Sequence, residues 1–153
     1  MWCFALSQKK LKAILSSSLN HRRLKTVNAR LYRMFRTAGS VLESYDIETA
    51  ACTWEDSVDE YLKKHDRVLQ ILGSYLSYYL FQYFLRTYET YSFRRQIALG
   101  LCHLSMVLLL IMTGDGASSP TDEYIAKTIS VYNRRAFFND GILDEMYRIF
   151  GDC

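Results

Sequence analysis

The stretch LQILGSYLSYYLFQYFLRTYETY, Leu69 to Tyr91, carries eight aromatic rings in twenty-three residues, with one Gly, no Pro and two charges. Wound as a helix, it places Leu72, Leu76, Tyr79 and Tyr83 on one side and Ile71, Tyr75, Tyr78 and Leu85 on another, leaving little circumference for water. Two apolar sides define the central helix of a bundle, where Tyr rings supply buried area and their hydroxyls reach polar partners at the edges. An aromatic ligand platform is the competing reading.

The flanking sequence extends the helical pattern in both directions. Upstream, TWED offers Thr53 as an N-cap whose hydroxyl accepts a backbone N–H three residues on, with Glu55, Asp56, Asp59 and Glu60 near the positive end of the helix dipole. Nothing obliges that helix to stop before Thr90, a length of about 54 Å at 1.5 Å per residue, with Gly73 and Ser74 the place for a bend. Downstream, SFRRQIALGLCHLSMVLLLIMTG opens on Ser92 as a cap and closes on Gly114 as a terminating glycine. Its apolar portion, Ile97 to Met112, falls short of the roughly twenty residues that cross a bilayer and is interrupted by Gly100, His103 and Ser105. It reads as a helix buried on nearly every side, with no membrane span, and His103 as a hydrogen-bonded core residue.

The remaining elements are shorter. Leu6, Leu11, Ile14 and Leu15 mark a first helix ended by Ser16-Ser17-Ser18, and the spacing from His21 to about Tyr45 marks an amphipathic second one that Gly39 kinks or ends. Arg22, Arg30, Arg33 and Arg36 lie elsewhere around that second helix. Asp46 to Cys52 is a connector. DGASSP, from Asp115 to Pro120, is the clearest loop, after which Thr121 caps a helix with Tyr124, Ile125, Ile129, Tyr132 and Phe137 on its apolar side. FNDG, from Phe138 to Gly141, breaks it, and Ile142 to Phe150 forms a last short helix. One Pro and seven Gly supply too little turn chemistry for a many-stranded fold. The fold class is therefore all-α: an up-and-down bundle of five or six helices with a long aromatic-rich central helix. Residues 1–52 form a basic N-terminal helical segment and 53–153 the bundle core, together one compact domain.

Charge is unevenly spread. Residues 1–37 hold nine Lys or Arg and no acid, a charge of +9, whereas 38–153 carry ten basic and sixteen acidic groups, a charge of −6. Either the basic part docks on the acidic remainder, or KKLK (Lys9 to Lys12) and HRRLK (His21 to Lys25) face solvent, phosphate or an anionic surface. The four cysteines, Cys3, Cys52, Cys102 and Cys153, stand about fifty residues apart, without the close spacing by which one turn presents two thiolates to a metal. They read as free thiols of a reducing compartment, with Cys102 a small core residue. MWCFALSQKKLK reverses the charge order of a signal peptide, so the expected location is cytoplasmic. Trp2 and Phe4 need burial almost at once, which suggests the distal piece of something longer.

No nucleophile elbow, HExxH, P-loop or dinucleotide-binding glycine motif occurs. The carboxylates of EDSVDEY (Glu55 to Tyr61) crowd a helix N-terminus, where capping accounts for them. Arg94 and Arg95 lie beside Tyr91 and Phe93, and Arg134 and Arg135 beside Phe137 and Phe138. Because guanidinium stacks on aromatic faces and grips carboxylates, these four arginines are the candidate anion or partner contacts; surface ion pairs are the alternative.

VLQILGSYLSYYLFQYFL (Val68 to Leu85) followed by FRRQIALGLCHLSMVLLLIMTG (Phe93 to Gly114) resembles the C-terminal helical region of the bacterial flagellin lysine-N-methylase family. TDEYIAKTISVYNRRAFFNDGILDEMYRIF (Thr121 to Phe150) resembles that family's closing helices, with Phe137 and Phe138 where the family often has an acidic residue and His. The resemblance covers residues 54–150. It implies, for the intact enzyme, methylation of flagellin lysines with S-adenosylmethionine and a cysteine-bound iron–sulfur cluster. The cluster's cysteines have no counterpart here, so this chain alone is expected to bind neither cofactor and to be inactive, a truncated or separately encoded part of such a methyltransferase. Flagellin and a separate N-terminal cysteine-rich segment are the implied partners. The alternative from a different class is a stand-alone helical interaction or regulatory module using its basic N-terminal face; nucleic acid is the less favoured partner.

Overall fold

The computed structural model describes residues 7–20, 29–45, 53–83, 93–136, 146 and 148. Among these residues there are six helices and no strand: α1 (Gln8–Asn20), α2 (Ala29–Ser44), α3 (Trp54–Lys64), α4 (Asp66–Tyr83), α5 (Phe93–Thr113) and α6 (Asp122–Ala136). The all-α bundle read from the sequence is the fold observed. The connectors at 21–28 and 46–52, the aromatic residues 84–91, Ser92 and the break at 138–141 lie outside the described residues, as does most of the closing helix, of which Met146 and Arg148 are helical.

The two N-terminal helices are amphipathic in the way their sequence spacing dictates. α1 buries Leu11, Ile14 and Leu15, and α2 buries Leu31, Phe35, Ala38 and Leu42, three- and four-residue steps that line up one stripe per helix. These two stripes face each other, and Gln8 Nε2 donates to the Leu42 carbonyl at 2.7 Å to fix their register. The serines do not end α1: Ser18 Oγ donates to the Ile14 carbonyl at 2.7 Å, so its side chain bonds back along the helix while the backbone continues to Asn20. Gly39 likewise lies inside α2.

Thr53 caps α3 as expected. Its hydroxyl accepts the Asp56 N–H at 3.2 Å while the Asp56 carboxylate accepts the Thr53 N–H at 3.2 Å, a reciprocal capping box. The expected uninterrupted run from Thr53 toward Thr90 is corrected by His65. That residue leaves helical geometry at φ −127°, ψ 65°, its N–H closing on the Tyr61 carbonyl at 3.0 Å, and α4 restarts at Asp66. Lys63 and Lys64 sit at a helix C-terminus and Asp66 at the next N-terminus, so the local charges favour both ends. No break occurs at Gly73 and Ser74, where Ser74 and Ser77 hydroxyls bond back to Gln70 and Gly73 carbonyls.

The centre of the bundle is α5. Every residue from Cys102 to Ile111 is buried, and the helix packs against α2, α4 and α6. α4 flanks it with a single buried stripe, Val68, Leu72, Tyr75 and Tyr79, while Tyr78 is 62% and Phe81 84% exposed. The buried stripe thus draws from both expected sides, Leu72 and Tyr79 from one and Tyr75 from the other, while Tyr78 is turned outward. At Gly100 α4 and α5 approach closely: a Cβ there would lie 2.9 Å from Tyr79 Cδ1. The window Gln96–Thr113 is long and apolar enough to cross a membrane by length and composition, two residues longer than the sequence reading allowed, and 72% of it is buried in the bundle.

Candidate functional site

Where α5 ends, the chain folds back through a short turn that builds one wall of a cleft. Gly114 follows the helix as expected, but its reason is space rather than a left-handed backbone: a Cβ would collide with the Tyr124 hydroxyl. At Gly116 a Cβ would lie 2.6 Å from Tyr124 Cδ2, so both glycines let the turn close over that ring. The turn is held by Ala117 N–H on the Gly114 carbonyl at 3.0 Å and by Tyr61 Oη donating to the Ala117 carbonyl at 3.1 Å. Tyr124 Oη donates to the Ile111 carbonyl at 2.9 Å, satisfying one of the carbonyls that the end of α5 leaves over. Thr121 caps α6 by accepting the Tyr124 N–H at 3.2 Å, which fixes where the ring enters.

The cleft so formed has a volume of about 450 Å³. α2 contributes Arg30, Arg33, Met34 and Thr37; the end of α5 and its turn contribute Leu110, Thr113 and Asp115; α6 contributes Lys127 and Thr128 beside Tyr124. Three cations therefore face one carboxylate. Arg30, Arg33 and Lys127 have no acidic partner among the described residues, and Arg33 Nε makes only a 3.3 Å bond to the Ala29 carbonyl one turn back. Burial raises the Tyr124 hydroxyl pKa, and it pushes Tyr61, next to the same turn, up to about 12, so both phenols stay protonated donors.

The sequence-predicted arginines do not converge on this cleft. Arg94 is exposed at the start of α5 and Arg134 near the end of α6; the side chains of Arg95 and Arg135 lie outside the described residues. Nothing in the local sequence marks the cleft's own cations. Arg30 and Arg33 stand three apart on one helix and Lys127 almost a hundred residues later, so the convergence exists only once α2 packs beside α6.

Two core residues behave as read. Cys102 is fully buried, and desolvation raises its thiol pKa far above the ordinary value. His103 Nδ1 lies 2.8 Å from Tyr132 Oη, with the Tyr79 ring tilted against the imidazole at 5.4 Å; burial pulls its pKa down to about 3, so the ring is neutral. Among the described residues no group of three or more His, Cys, Asp or Glu is arranged to hold a metal ion. Cys102, the one cysteine among them, has its thiolate form suppressed by burial and is itself a poor metal ligand.

The described residues thus form a helical bundle with a cation-lined cleft between α2, the end of α5 and α6. The chain matches the FliB lysine N-methylase C-terminal domain over residues 4–152, nearly its whole length, and it belongs to that family. The match extends the residues on which the resemblance rested back through α1 and α2, so the basic segment is part of the family domain. No curated protein and no solved structure matches it.

Proposed function

We propose that this chain is the helical scaffold and partner-contact part of a cytoplasmic flagellin lysine-N-methyltransferase, with cofactor chemistry supplied by a separate cysteine-rich segment. The observation that carries this is the family match over residues 4–152. In the intact enzyme S-adenosylmethionine would supply the methyl group and the lysine amine would receive it. This chain's contribution is the rigid α5-centred core and the surfaces it presents. The net positive cleft repels a lysine ammonium, so the acceptor side chain is received elsewhere.

The test is reconstitution. Purified chain mixed with flagellin and S-adenosylmethionine is expected to methylate nothing, and to gain activity when a cysteine-rich segment from the same family is added, read by mass spectrometry of flagellin. Methylation by the chain alone would overturn the scaffold role. A stable complex with the cysteine-rich segment by size-exclusion chromatography is the second expected result.

A further inference from the structure

We propose that the cleft between α2, the end of α5 and α6 binds a small organic oxyanion, a molecule bearing phosphate or carboxylate groups on a partly apolar body. Arg30, Arg33 and Lys127 bring three positive charges to a space that holds one carboxylate, Asp115, and none of the three is ion-paired among the described residues. Cations held near one another without counter-charge repel, and an oxyanion relieves that repulsion while accepting charge-assisted hydrogen bonds. Two guanidinium forks one helical turn apart suit phosphate or carboxylate geometry better than a single ammonium does. A volume of about 450 Å³ lies within the range of small-ligand sites, about 300–1,000 Å³.

The walls refine the ligand. Thr113 and Thr128 hydroxyls donate to the Leu109 and Tyr124 carbonyls, so toward the cleft they have only lone pairs to offer. Thr37 makes no hydrogen bond among the described residues, leaving its hydroxyl as a fourth donor beside the cations. Met34 and Leu110 supply an apolar patch, which selects a ligand with a carbon skeleton over bare inorganic phosphate.

The inference does not depend on the methylase reading, because binding is measured on the purified full chain without methyl transfer. Citrate and pyrophosphate serve as probes in titration calorimetry at about 10 mM salt, where screening is weak. Binding by both, or by either alone, is the expected result; the preferred probe distinguishes carboxylate from phosphate. Arg33→Gln and Lys127→Gln are each expected to weaken that binding about tenfold, the scale of one lost charge-assisted contact, while Lys9→Gln, at the start of α1 beside the far end of α2, leaves it unchanged. All three positions lie on solvent-facing helix surface, and unchanged helical circular dichroism confirms folding. Failure of both probes to bind overturns the proposal, as does binding that survives both cleft substitutions. Binding of poly-glutamate with no binding of either small anion overturns it too, assigning the cleft to an acidic polypeptide.

Discussion

A methyl group added at Gly100 and one added at Gly73 have opposite consequences. At Gly100 the new Cβ would meet Cδ1 and Cε1 of Tyr79 at 2.9 and 3.0 Å, and that ring is buried between α4 and α5 with nowhere to swing. Gly100→Ala is expected to cost about 1–3 kcal/mol, the usual scale of overpacking. Nothing lies within 4 Å of a Cβ at Gly73, in the exposed middle of α4, so Gly73→Ala is expected to add about 0.5–1 kcal/mol by restricting the unfolded chain. Urea denaturation of the two variants checks both signs. His103 gives a pH dependence. Unfolded, its imidazole protonates near 6.5; folded, only near 3. The stability from keeping the ring neutral and buried is therefore fully present above about pH 6.5 and is lost as pH falls toward 3. His103→Gln, which cannot titrate, is expected to flatten the urea midpoint against pH across that window; an unchanged slope would assign acid sensitivity to other groups.

Capping shows how far an element can be read locally. Thr53→Ala removes the hydroxyl that accepts the Asp56 N–H and is expected to cost about 1 kcal/mol, read by the same denaturation. Both its capping and that of Thr121 were legible because a cap is a contact between residues three apart. The break at His65 was legible too, had Lys63-Lys64 been read as a helix end and Asp66 as a beginning. What could not be read was which side of α4 faces protein. Tyr75 and Tyr79 are buried and Tyr78 and Phe81 exposed, although all four are large aromatics in one run, because burial depends on where α5 lies. The same holds for the cleft. Arg30, Arg33 and Lys127 are ordinary surface cations in their own helices, and only the packing of α2 beside α6 gives them a common space.

Across the described residues the contact between the basic segment and the remainder is apolar at its centre. The basic α1 and α2 dock through Leu11, Ile14, Leu31 and Phe35, and their apolar stripes join one core with α5. The bidentate pair Arg67–Asp122 ties α4 to α6 from the exposed surface, both partners belonging to the acidic remainder. α5 has the composition of a membrane span but spends its apolar surface on three neighbouring helices, so the chain is expected to purify without detergent as a monodisperse helical species by size-exclusion chromatography; a need for detergent would count against a buried α5. Trp54 adds an experimental handle. Its indole is buried at the first residue of α3, with the Tyr45 ring edge-on at 5.9 Å just beyond the end of α2. Replacing Trp2 with Phe would leave Trp54 as the sole indole, so its fluorescence would report in real time whether the basic half and the remainder come apart together or in sequence.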